Sequence, residues 1–140
     1  MPLLDTATPR GQRLATRLHD EIHAWLVTVT PDGRPQPSLV WFLWQEPDLL
    51  VYSQPGRPKL RNVEANPRVA LHFGEDENGG DVAIFEGTAA VDRSLPRADA
   101  VPEYIAKYRE AIARLGWTPE SFAGDYSVPV RIRLTRARGW

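Results

Sequence analysis

The sequence contains no cysteine. Disulfides, thiolate nucleophiles and cysteine-ligated metals are therefore excluded. Lysine is almost absent as well: it stands only at Lys59 and Lys107, and the remaining basic residues are arginines. With abundant Ala, Pro and Gly this bias suits a GC-rich genome, so not every arginine needs a functional reason. Net charge is lacking too, at −1. No global field draws the chain to nucleic acid or to a membrane surface, and any anion binding must come from a local cluster. No apolar run approaches the ~20 residues that cross a bilayer. The opening MPLLDTATPRGQR has neither the basic start nor the apolar centre of a secretion signal. The expectations are a cytoplasmic protein, no membrane insertion and no nucleic-acid partner. Its 140 residues suit one domain, 1–140, with a core of its own.

Catalytic signatures are missing. There is no GxSxG, Walker loop, HExxH or dinucleotide GxGxxG. Glu75, Asp76 and Glu77 lie in an acidic, glycine-rich loop whose spacing is not that of an EF-hand. His19 and His23 are four apart, which is also a metal-pair spacing, but no third ligand stands near them. No metal site is expected, and no acid, base or nucleophile is evident. An enzyme built this way must borrow its reactivity from a cofactor.

What is present centres on Leu49 to Pro67, LLVYSQPGRPKLRNVEANP. Leu49 to Tyr52 has the β-propensity of a strand. Ser53 to Gly56 turns. Pro58 suits a first helical position, and Asn66-Pro67 stops the helix, giving a helix over 58–65. Arg57, Lys59 and Arg61 then crowd the amino end of a helix, where the macrodipole favours anions. Cations there make sense around a bound phosphate or carboxylate. The other reading is a solvated basic turn.

Around that stretch, helical spacing of Leu14, Leu18 and Ile22 gives a helix over 9–21, its first turn weakened by Gly11. Strands follow over 24–30 and 36–44, joined by the hairpin residues Pro31 to Arg34. The run Leu39 to Trp44 is apolar on both faces. That implies a core on one side and a helix, a partner subunit or a flat cofactor on the other. Arg68 to Gly74 alternates as a strand, with His72 on the face opposite Val69, Leu71 and Phe73, read as a hydrogen-bonded structural histidine. Val82 to Asp92 is another strand, and Gly87 inside it predicts a bulge or a close backbone approach. Val101, Tyr104, Ile105, Tyr108, Ile112 and Leu115 form one helical stripe over 101–115. Residues 117–125 are a loop or short helix. The last strand, 126–136, alternates apolar residues with Arg131, Arg133 and Arg136, whose face must meet water, acids or an anion. The fold class is mainly β with helices: six antiparallel strands in a small closed or split barrel.

Taken together, GRPQPSLVWF, LLVYSQPGRPKLRNVEANPRVAL and AIFEGTA resemble the pyridoxamine 5′-phosphate oxidase-like FMN-binding split barrels, and most of all the subgroup that binds the deazaflavin coenzyme F420. The resemblance runs from the first helix to the arginine-rich strand, and its most specific element is R-x-K-x-R-N followed by N-P-R. It implies an oxidoreductase and a homodimer whose coenzyme lies between subunits. The phosphate would be held by Ser53, Arg57, Lys59, Leu60 and Arg61, and the ring would lie against Pro37, Ser38, Leu39 and Val40. It implies hydride transfer to a small electron-poor substrate such as an enone or quinone. The alternatives are FMN as the coenzyme, or a carrier that binds F420 or flavin without turnover. An aromatic residue that some relatives carry before the EG strand is replaced here by Gly80-Asp81.

Overall fold

The computed structural model describes residues 3–140. Met1 and Pro2, the start of the stretch read as lacking a leader and of the single domain 1–140, lie outside the described residues. The elements are α1 (Pro9–Asp20), β1 (His23–Val29), β2 (Pro35–Trp41), β3 (Leu43–Gln45), β4 (Asp48–Ser53) and α2 (Pro58–Ala65). There follow β5 (Arg68–His72), β6 (Ala83–Val91), a 3₁₀ turn (Ala98–Ala100), α3 (Pro102–Arg114), α4 (Pro119–Asp125) and β7 (Val128–Gly139). All pairings are antiparallel, in the order β2-β1-β5-β6-β7-β4-β3.

Seven strands stand where six were expected, because the run 36–44 breaks at Phe42 into β2 and β3. The two pieces lie at opposite ends of the strand order yet are joined through this one residue. The sheet must therefore curl until its ends meet, which is the geometry of a barrel split along one seam. At the break the backbone of Phe42 has no strand partner, and α3 supplies one. The Tyr108 hydroxyl accepts from Phe42 N–H at 2.8 Å and lies 2.5 Å from the Ile22 carbonyl, to which it donates. Lys107 Nζ donates to the Phe42 carbonyl at 2.8 Å and sits 3.9 Å over the Phe42 ring. Buried main-chain groups are thereby satisfied where the ladder cannot do it.

Two apolar clusters share the sheet. Leu26, Phe42, Val51, Leu71, Phe85 and Ile132 fill the barrel. On its outside, Leu50 and Tyr52 of β4 meet Tyr104, Tyr108 and Ile112 of α3 and Phe122 of α4. β4 is thus buried on both faces, as its unbroken LLVY run requires. Leu115, assigned to the same stripe, is instead 64% exposed at the end of α3. The segment 117–125 is resolved in favour of a helix, α4, opened by a capping box in which the Thr118 and Ser121 side chains exchange hydrogen bonds with each other's backbone.

Both glycines singled out in the sequence prove sterically required. A Cβ on Gly87 would lie 2.0 Å from the Arg133 carbonyl oxygen, at the bulge between Glu86 and Gly87. A Cβ on Gly11 would lie 1.9 Å from that of Asp5, so this residue lets the N-terminal turn close onto α1 as well as weakening the helix. The arginine face of β7 meets acids: Arg131 pairs with Asp92 at 3.2 Å, and Arg133 with Asp48. His72 makes no side-chain hydrogen bond among the described residues. It sits on the outer face opposite Trp25, contrary to expectation. His19 ends α1 against Asp20 while His23 opens β1, so the two do not share a helical face.

Replacing Tyr108 by Phe leaves the buried Phe42 N–H and the Ile22 carbonyl without their partner. An unmet buried polar group costs about 1–3 kcal/mol. Thermal unfolding of Tyr108→Phe is expected several degrees below wild type. Burial lowers the Lys107 pKa to about 8, against the raising effect of Glu21 and Asp20. The unfolded chain then holds more protons than the native one between pH 8 and the ordinary lysine value, and stability tied to this group rises with pH there. The stability of wild type relative to Lys107→Met, measured by urea unfolding, is expected to increase from pH 8 to pH 10.

Candidate functional site

β4 delivers the chain to the turn 53–57, where Gly56 takes a φ of +75°, a conformation that favours glycine. Pro58 starts α2, and Arg57 occupies the cap position without a side-chain hydrogen bond to the helix. The first turn contains no acid. The amino end of α2 thus offers a positive dipole that no side chain of its own neutralises.

Lys59 lies in this turn, half-buried. Desolvation holds its pKa below the usual lysine value, and the neighbouring Arg57 guanidinium lowers it further. Among the described residues its ammonium makes no ion pair or hydrogen bond. A partly buried lysine without an anion is a costly arrangement, and a ligand phosphate would relieve it. Arg57 is exposed, but its guanidinium is held by Gln54 Oε1, and Gln54 Nε2 is held in turn by Asp125 of α4. Asn62, 1% exposed, anchors α2 to the β1–β2 hairpin: its Nδ2 donates to Thr28 Oγ1 at 3.0 Å and Gln36 Oε1 at 2.8 Å.

Lys59 reaches a cavity of about 420 Å³ that opens along the barrel's seam. Leu39, Val40 and Trp41 of β2 form one wall and Tyr52 of β4 another. Tyr104, Ile112 and Leu115 of α3, with Trp117, Phe122 and Tyr126 around α4, close the far side. The rings are largely parallel: Trp41 stacks on Tyr108 at 4.5 Å and 2°, and Phe122 on Tyr126 at 4.7 Å and 17°.

Of the residues expected to bind a cofactor, Leu39, Val40 and Lys59 line this one cavity, and Arg57 stands close enough to Lys59 to perturb it. Pro37 and Ser38 lie on the same edge strand. Pro37 is exposed, while the Ser38 hydroxyl is buried with no hydrogen-bond partner. Three residues sit elsewhere. Ser53 is 1% exposed and its hydroxyl donates to the Gln54 carbonyl at 2.8 Å. Leu60 packs into the barrel core. Arg61 is exposed and does not line the cavity. The lone ammonium, the orphaned Ser38 hydroxyl and the slot between parallel rings fit an anionic group with a planar ring system. The sequence reading missed the helical side of the cavity. Its signal was the aromatic density at Tyr104, Trp117, Phe122 and Tyr126, which reads equally well as core.

Comparison with known proteins gives a family model described as pyridoxamine 5′-phosphate oxidase, matching residues 11–140. A pyridoxine/pyridoxamine 5′-phosphate oxidase of Rubrobacter xylanophilus is 45% identical over 65 residues, which are 46% of this chain and 30% of that protein. The match therefore spans under a third of the relative's length. Among solved structures, an F420 reductase superposes with a TM-score of 0.61 at 25% identity, covering 88% of this chain and 94% of its own. A putative pyridoxamine 5′-phosphate oxidase from Listeria innocua superposes with a TM-score of 0.66 at 20% identity, covering 91% and 94%. The chain belongs to the pyridoxamine 5′-phosphate oxidase family.

Proposed function

We propose that this member of the pyridoxamine 5′-phosphate oxidase family binds the deazaflavin coenzyme F420 in the seam and acts as an oxidoreductase on a small electron-poor acceptor. The observation that carries this reading is Lys59: a half-buried cation with no anion of its own, at the positive end of α2 and the rim of a planar slot. Lys59 and Arg57 hold the phosphate, and the Leu39–Val40 wall supports the ring. The coenzyme, when bound, supplies hydride-transfer chemistry. The chain's own part is to orient the reactants and exclude water, which the apolar walls are suited to do. The choice of F420 draws on the F420 reductase neighbour. The family match equally favours FMN as the second reading. Titrating the purified chain with FMN and with F420 side by side separates them.

A homodimer completes the reading. Trp25 and Leu39 oppose each other across β1 and β2 and are 42% and 50% exposed. Large apolar side chains paired on an open sheet face call for a cover, and a second copy would place its own chain over the mouth of the seam. Sedimentation at micromolar concentration is expected to give a dimer, and a stable monomer would refute this arrangement.

A charge-assisted contact to phosphate contributes about 1.5–3 kcal/mol, roughly ten- to a hundredfold in affinity. Lys59→Ala is therefore expected to weaken coenzyme binding at least tenfold. Arg57→Ala should do likewise. Neither should lower the melting temperature of the coenzyme-free protein appreciably. The loss should be larger for the phosphate-bearing coenzyme than for its dephosphorylated core. Equal losses for both forms, or none, would show that the turn is not the phosphate site.

A further inference from the structure

Two tyrosines on α3, four residues apart, are both fully buried. The Tyr108 hydroxyl is satisfied by the backbone at the strand break. The Tyr104 hydroxyl, 0% exposed as a residue, has no hydrogen-bond partner among the described residues. Its ring is fixed by its neighbours: edge-on to Tyr52 at 5.1 Å and stacked with Phe122 at 6.1 Å. Burial pushes its pKa well above the ordinary tyrosine value, so it remains a protonated donor at working pH. An unmet buried hydroxyl is a standing cost, and phenylalanine would fill the same space without it.

Tyr104 lines the helical half of the seam cavity, away from the basic turn. That half is walled by Phe122, Tyr126, Trp117 and Ile112, with Leu115 exposed beside it. None of these side chains is charged. Near-parallel aromatic walls select a flat molecule by offset stacking. A single uncompensated donor selects one that brings an acceptor.

We propose that this chamber is a second subsite, distinct from the phosphate turn, for a flat uncharged aromatic molecule bearing one carbonyl, with Tyr104 donating a hydrogen bond to the carbonyl oxygen. The inference rests on the proposed function only in taking that molecule as the acceptor; its binding needs no coenzyme. Tyr104 is then a specificity residue, and its hydroxyl is kept for the ligand and not for the fold.

The test uses the coenzyme-free protein and two probes of matched shape, 2-acetylnaphthalene and 2-ethylnaphthalene, followed by quenching of tryptophan fluorescence. Wild type is expected to bind the ketone about fivefold more tightly than the hydrocarbon, the worth of a neutral hydrogen bond. Tyr104→Phe should abolish that preference, leave hydrocarbon affinity within twofold, and keep or raise the melting temperature. Leu115→Lys, at the exposed rim, should weaken both probes together. The proposal is overturned if neither probe binds wild type, if Tyr104→Phe retains the ketone preference, or if Tyr104→Phe melts well below wild type. Separate titrations with F420 and FMN keep the two readings apart. Coenzyme binding without ketone binding refutes the chamber alone, and ketone binding without coenzyme binding refutes the proposed function alone.

Discussion

The structure depends on a hydrogen-bond ladder that cannot be completed. β2 and β3 are consecutive in the chain, yet β2 pairs only with β1, and β3 only with β4. Between them stands Phe42, whose backbone is met by Tyr108 and Lys107 of α3 and by no strand. The helix is thus tied to the break itself. Because α3 must lie there, its aromatic stripe faces the outside of β4, and a second apolar cluster forms beyond the barrel wall. The cavity is what remains between that cluster and the edge of β2, where sheet hydrogen bonds stop. The same break that opens the barrel therefore builds the site.

The distribution of cations follows a similar logic. The sequence has two lysines, and both are half-buried with pKa values lowered chiefly by desolvation. Lys107 has an internal use, since it donates to the Phe42 carbonyl and lies over its ring. Lys59 has none. Several surface positions carry arginines, whose rigid guanidinium suits exposed pairs such as Arg131–Asp92 and Arg133–Asp48. An internal use explains one half-buried lysine, and only an outside anion explains the other.

Much of this was legible in the chain. The strand-turn-helix of 49–67 and the bulge at Gly87 followed from proline, glycine and alternation, because those signals are local. The break at Phe42 was not, since LVWFLW has no Gly or Pro and reads as one strand; what splits it is a tyrosine 66 residues away. Leu60 was legible as helix but not as core, because a helix of eight residues offers too few positions to show which side turns inward. The anchoring role of Asn62 rests on Thr28 and Gln36, which only the folded hairpin brings together. The phosphate half of the site was thus readable from sequence and the aromatic half was not. Cations at a helix start are anomalous wherever they occur, whereas aromatic residues at helical spacing are the ordinary signature of a core.

The apolar run Leu39 to Trp44 was expected to bury one face in a core and offer the other to a helix, a partner or a flat ring, and the structure divides the run among these uses. Val40 and Phe42 point into the barrel. Trp41 and Leu43 pack outward under α3 and α4. Leu39 is left half-exposed opposite Trp25, at the rim of the cavity. A strand of alternating side chains can serve a core, a helical layer and a binding wall at once only if the outer layer ends partway along it. Here the outer layer does end, beyond Trp41, so Leu39 is the first residue of the strand free to contact something other than this chain. The hydrophobicity that looked redundant in the sequence is therefore spent on three different surfaces. The one surface left uncovered adjoins the cavity reached by the lysine that has no partner.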